Sequence, residues 1–115
     1  MKTCILDKGD TEQCDVLPWL LKSKKINEIS IIKNTDMFIE KVLFEIPDVV
    51  FLRLSKKEKT GLQTASTILK ENAKIKVIFL ADEDDYALEA YEIGAYNYLL
   101  CPVQKRKIEK CFTGL

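Results

Sequence analysis

The chain has 115 residues, 47% hydrophobic and 31% charged, and its 18 basic and 18 acidic side chains give a formal net charge of +0. That length holds one domain, 1–115, around a single core, and the apolar fraction excludes a disordered chain. The cancelled charge excludes a global field drawing the domain to nucleic acid or an anionic membrane, and no apolar run approaches membrane-spanning length.

Short β-branched and aliphatic runs alternate with helical patterns, as βα repeats around a parallel sheet do. The first strand is read over residues 3–6, Thr-Cys-Ile-Leu. In the helix that follows, Pro18 is cheap in a first turn but costs about 3 kcal/mol in an interior. Either Asp15 caps a helix that starts late, or Asp10 caps an earlier one kinked at Pro18; the late start is the expectation. The second strand is Glu28–Ile32, and Phe38, Val42, Leu43 and Ile46 then stripe a helix. The third and fourth strands, 49–52 and 76–80, read as apolar runs suited to a sheet covered on both faces. Between them, Leu62, Ala65, Ile68 and Leu69 form a second helical stripe. Ala87, Ala90, Tyr91 and Gly94 form a third, with small residues that let the helix approach the sheet. The fifth strand is 98–100, and the last stripe is Ile108, Cys111, Phe112 and Leu115.

Right-handed crossovers between these strands give an α/β, flavodoxin-like (βα)5 fold, a doubly wound five-stranded parallel sheet of order 2-1-3-4-5. Its crevice lies at the carboxyl ends of the first and third strands. Cys4, Cys14, Cys101 and Cys111 show no C-x-x-C spacing and the chain has no histidine, so neither a zinc site nor a Cys-His nucleophile is expected. No signal-peptide pattern is present, and the expected compartment is the cytoplasm with four free thiols. A half-buried structural role is expected for Cys101 ahead of a redox one. The acids Asp82, Glu83, Asp84 and Asp85 precede a helix and are read as caps and macrodipole partners.

Pro47-Asp48-Val49-Val50-Phe51-Leu52, Gly61-Leu62, the run 85–91 (Asp-Tyr-Ala-Leu-Glu-Ala-Tyr) and the run 94–100 (Gly-Ala-Tyr-Asn-Tyr-Leu-Leu) together resemble a bacterial response-regulator receiver domain of two-component signalling. The resemblance is closest to receivers that precede LytTR-type DNA-binding domains. It implies a CheY-like phosphorelay module in which two acids after the first strand hold Mg²⁺ and an aspartate ending the third strand accepts a phosphoryl group. A hydroxyl residue after the fourth strand and a lysine before a proline after the fifth then bind the phosphate. Position by position this sequence departs from that set: Asp7 is followed by Lys8, the acceptor position is Arg53, the hydroxyl position is Ala81, and the lysine position is Cys101 ahead of Pro102.

Arginine has no carboxylate to phosphorylate and stays protonated. With Lys8 it places positive charge where the cation would sit, so Mg²⁺ binding is not expected and neither is catalysis. Two readings of Arg53 stand: an ion pair with Asp7 across the crevice, or a hydrated head in solvent. The resulting expectation is an atypical pseudo-receiver that regulates transcription, or another signalling output, through protein contacts without phosphorylation. The alternative is a sensor in which Arg53, Lys8 and Lys57 hold a small anion or nucleotide.

The resemblance makes Tyr98 the aromatic that reports on the phosphorylation site. It also implies a dimer or partner face on the fourth helix, fifth strand and fifth helix, near Tyr86, Tyr91, Tyr96, Lys105 and Arg106. No direct contact with nucleic acid is expected from this domain; a DNA-binding domain would belong to a longer chain.

Overall fold

The computed structural model describes residues 1–9, 16–56 and 60–113. Five strands, β1 (Lys2–Leu6), β2 (Glu28–Ile32), β3 (Val49–Leu54), β4 (Lys76–Ala81) and β5 (Asn97–Leu100), alternate with helices α1 (Leu17–Lys22), α2 (Thr35–Glu45), α3 (Thr60–Glu71), α4 (Ala87–Glu92) and α5 (Lys105–Thr113). All neighbouring strands pair in parallel, in the order β2-β1-β3-β4-β5. The expected doubly wound sheet is the one observed.

Because strand side chains alternate faces, β3 feeds two cores at once. Val50, Leu52 and Leu54 join Phe38 and Val42 of α2 and Ala65 and Ile68 of α3. Val49 and Phe51 join Leu20 of α1 and Ile108, Cys111 and Phe112 of α5, and the Phe51 and Phe112 rings meet edge to face at 6.4 Å. Burial on both faces explains why β3 and β4 read as unbroken apolar runs.

The helices differ from the sequence pattern in three places. α1 starts late, with Pro18 in its first turn, but its N-cap is Val16 and it has no side-chain cap; Asp10 and Asp15 lie outside the described residues. Asn34 caps α2 by accepting from the Met37 N–H at 3.0 Å, whereas Ile46 sits past the last turn at φ 51 and is exposed, so it leaves the apolar stripe. α4 is only six residues long after a 3-10 turn over Asp84–Tyr86. Ala90 is its buried contact, Tyr91 faces outward, and Gly94 at φ +104 terminates the segment. Leu115 lies outside the described residues.

Gly61 sets how closely α3 meets the end of β3. A Cβ there would lie 2.8 Å from the Arg53 carbonyl oxygen and 3.1 Å from Leu54 Cδ2, and a backbone oxygen cannot swing aside. Gly61→Ala is therefore expected to destabilise the domain by about 2 kcal/mol in urea unfolding, although alanine favours a helix. A neutral or stabilising substitution would contradict this packing.

Candidate functional site: a crevice closed by an arginine

The carboxyl ends of β1, β3 and β4 converge on Asp7, Arg53 and Asp82. In register, Arg53 stands beside Leu80 and Leu54 beside Ala81. The Arg53 side chain folds back over this strand pair instead of extending into water, and the residue is 7% exposed. Its Nη1 donates to the carbonyls of Leu80 at 3.0 Å and Leu54 at 3.3 Å, and its Nη2 meets Asp82 Oδ1 at 2.5 Å. Both sequence readings of Arg53 are thereby corrected: the head is not hydrated in solvent, and its carboxylate partner is Asp82, not Asp7.

The reason is backbone geometry. Asp82 directly follows β4, and its N–H bonds the Leu54 carbonyl at 3.2 Å, which holds its carboxylate beside the end of β3. Asp7 turns inward on its own loop, where Oδ1 accepts the Gly9 N–H at 2.9 Å. A charge-assisted bond together with two carbonyl contacts satisfies a guanidinium better than a single half-buried acid.

The acids after β4 therefore act differently from the caps expected of them. Asp82 is an ion-pair partner, Glu83 lies 3.8 Å from Lys56, and the 3-10 turn beginning at Asp84 has no side-chain cap. Capping and pairing draw on the same residue types. The signal that separates them is topological: Arg53 and Asp82 both stand at the carboxyl ends of adjacent parallel strands.

Receiver-type chemistry needs a divalent ion held by several hard oxygens. Here Asp7 is followed by Lys8, and the carboxylate of Asp82 is taken up by a buried guanidinium that offers only donors. No group of three histidine, cysteine, aspartate or glutamate side chains able to hold a metal occurs among the described residues. These residues do not fit Mg²⁺.

The remaining pocket positions are filled by apolar and sulfur groups. Ala81 ends β4 fully buried. Cys101 follows β5, donates its N–H to the Ala81 carbonyl at 2.8 Å, and joins Pro102 through a cis peptide. It is disulfide-bonded, which corrects the expectation of four free thiols; among the described residues Cys4 and Cys111 are free. Sequence spacing cannot reveal cysteines that only the fold brings together.

Tyr98 is tied to the same region. Its hydroxyl donates to the Glu83 carbonyl at 2.5 Å and its ring lies 6.3 Å from Phe79. Burial raises the phenol above its ordinary pKa, with Asp84, Asp85 and Glu83 adding to the rise, so it remains a neutral donor.

The expected interface residues separate. Tyr86 packs half-buried on the α2–α3 side of the sheet and Tyr96 on the α1–α5 side, with Lys76 Nζ 5.4 Å from its ring. Tyr91 is 49% exposed and its hydroxyl meets Asn97 Oδ1 at 3.3 Å. Lys105 lies 3.7 Å from Glu109, and Arg106 is exposed. Leu88 at 73% exposure and Leu100 at 51% are apolar surface residues on α4 and β5 that the sequence reading missed. Leu100 had a signal, since it alternates with buried Leu99.

A family model described as response regulator receiver domain matches residues 7–113. The chain belongs to the response regulator receiver domain family. Such domains are signalling modules. This receiver domain is 30% identical over 110 residues to the sensory transduction protein LytR of Staphylococcus haemolyticus, across 96% of this chain and 43% of that protein. It is 26% identical to the transcriptional regulatory protein LytR of Staphylococcus aureus strain N315, over 96% of this chain and 45% of the relative. The chain thus spans less than half the length of these relatives. Among solved structures, the response regulatory domain of protein mrkE from Klebsiella pneumoniae superposes with a TM-score of 0.82 at 22% identity, covering 100% of this chain and 94% of that one. The response regulator domain of Thermotoga maritima CheB gives 0.78 at 16% identity, covering 98% and 94%. Both likenesses concern the fold. Among the described residues of this receiver domain, no helix is long and apolar enough to cross a membrane.

Proposed function

We propose that this receiver domain transmits its signal through protein contacts without being phosphorylated, as a pseudo-receiver within a LytR-like transcription regulator. The observation that carries the reading is the Arg53–Asp82 pair. A cation built into the chain occupies the acceptor position and is neutralised by a carboxylate from the loop after β4. Phosphoryl transfer to a receiver needs a carboxylate nucleophile and a metal to offset charge on the transferring oxygens. Arg53 supplies neither. The domain acts as an adaptor, not an enzyme, and a cytoplasmic setting goes with that role.

The loop that an active receiver rearranges is fastened at two points here, by Asp82 to Arg53 and by Glu83 to Tyr98. The contact face is then standing, not induced. Leu88, Tyr91 and Leu100 form its exposed apolar part, and Lys105 and Arg106 border it. Large apolar side chains left in water near charged ones suit a binding face. The anion-sensor alternative finds less support, because the guanidinium it relies on is already bonded to Asp82, Leu80 and Leu54; Lys57 lies outside the described residues.

Sedimentation of the chain, alone and with candidate partners, tests this. Association should occur without a phosphodonor, stay unchanged with acetyl phosphate and Mg²⁺, and weaken at least tenfold on Leu88→Arg. Association that depends on the phosphodonor would overturn the proposal.

A further inference from the structure

We infer that the groove between α1 and α5 is a binding site for a small aromatic carboxylate, with Trp19 as its apolar wall and Lys22 and Lys105 as its cationic rim. The two helices deliver these residues by their spacing. Trp19 and Lys22 share a face of α1, and Lys105, Ile108, Glu109 and Phe112 run at three-and-four spacing along α5. Together they line a cavity of about 310 Å³, at the small end of the range of roughly 300–1,000 Å³ for small-molecule sites. None of the described residues lining it belongs to the arginine-filled crevice.

The lining has two halves. Ile108 and Phe112 are buried and Trp19 is half-buried, all three in the core under α1 and α5, so the floor is apolar. The rim is cationic: Lys22 Nζ lies 5.8 Å and Lys105 Nζ 5.9 Å from the centre of the same Trp19 side chain's ring. Lys25 closes one end by donating to the Phe112 carbonyl at 2.7 Å, which occupies that acceptor. Among the described residues of the groove these three lysines face one acid, Glu109, which lies 3.7 Å from Lys105 in an exposed pair. Exposed pairs of that kind contribute little. A chain whose charges cancel as a whole thus collects a local positive excess around its one tryptophan.

This arrangement selects a ligand with an apolar ring and a negative end. An aromatic body covers the floor and packs against the indole, and the two ammonium groups, which repel each other beside that ring, gain a shared counter-charge. A neutral ligand leaves the repulsion in place, and a cation adds to it. The volume suits one or two fused rings, whereas a docking α-helix, about 10 Å across, needs a longer and wider trough. Lys105 also borders the contact face proposed above, so a ligand in the groove reaches that face through α5. That link rests on the proposed function; the binding itself does not.

The test is a titration of the isotope-labelled chain with 2-naphthoate, followed by NMR at the indole N–H resonance, which a single tryptophan makes unambiguous. That resonance should shift and saturate with a Kd below about 1 mM. The alcohol 2-naphthalenemethanol, which has the ring without the charge, should bind at least about tenfold more weakly. Lys22→Ala, at an exposed position that leaves the sheet resonances in place, should weaken naphthoate at least about fivefold. Glu109→Gln, which removes the acid from the groove, should tighten it about twofold. Phosphorylation and partner binding play no part in the readout, so it can fail independently of the proposed function. Equal affinity for acid and alcohol, an affinity untouched by Lys22→Ala, or indole shifts that track chain concentration without naphthoate, as a second copy in the groove would give, would each overturn the inference. So would an acidic peptide that binds there when naphthoate does not, since it would assign the groove to a protein partner.

Discussion

Arg53→Met is expected to lower the unfolding free energy by about 3 kcal/mol, measured as a shift of the urea midpoint without a change in slope. Methionine restores most of the buried volume, so the loss isolates the guanidinium. The Leu80 and Leu54 carbonyls lose a donor, and Asp82 loses its counter-charge. The two ends of the pair contribute unequally. The Arg53 side chain is 6% exposed and that of Asp82 39%, so the carboxylate can rehydrate while the guanidinium cannot. Asp82→Ala, which takes a counter-charge from a buried cation, should therefore cost at least as much as Arg53→Met. Losses below about 1 kcal/mol for both would mean that the arginine is an ornament of the pocket and not its closure.

Phe79→Ala should be costlier still, about 4 kcal/mol, because Phe79 is fully buried in the central part of β4 and its removal leaves a cavity beneath Tyr98. The same variant tests how the aromatic is held. Tyr98 has two restraints, the Phe79 ring at 6.3 Å and the hydrogen bond to the Glu83 carbonyl. Tyr98→Phe removes only the second and should cost about 1 kcal/mol. In hydrogen exchange it should speed opening of the loop after β4 while leaving the sheet protected. If Tyr98→Phe left exchange in 82–86 unchanged, the Tyr98 hydroxyl would have no part in holding the loop.

Much of this architecture was legible in the residues. The sheet order followed from strands that alternate with helices, and the double burial of β3 and β4 was visible as apolar runs without polar alternation. The residue types at the strand ends could be read as well, because Asp7, Lys8, Arg53, Ala81 and Cys101 stand at fixed places relative to the strands. What Arg53 does there was not. A guanidinium at a strand end can reach solvent, Asp7 or Asp82, and the choice depends on where a neighbouring strand delivers its next residue. Asp82 was hidden for the same reason, since an acid before a helix looks like a cap. Tyr91 and Ile46 fitted helical spacing, yet each stands at or beyond the end of its helix, where the period no longer fixes the direction of a side chain. Cys101 was misread because proximity through a fold leaves no trace in spacing.

The central claim is that a built-in cation replaces the metal and the phosphoryl group, and intact-mass measurement after incubation with acetyl phosphate and Mg²⁺ tests it most directly. The account predicts an unchanged mass and a melting curve that neither Mg²⁺ nor beryllofluoride moves. An acid-stable, hydroxylamine-labile phosphoryl adduct on the chain, or stabilisation by Mg²⁺ with beryllofluoride, would contradict it.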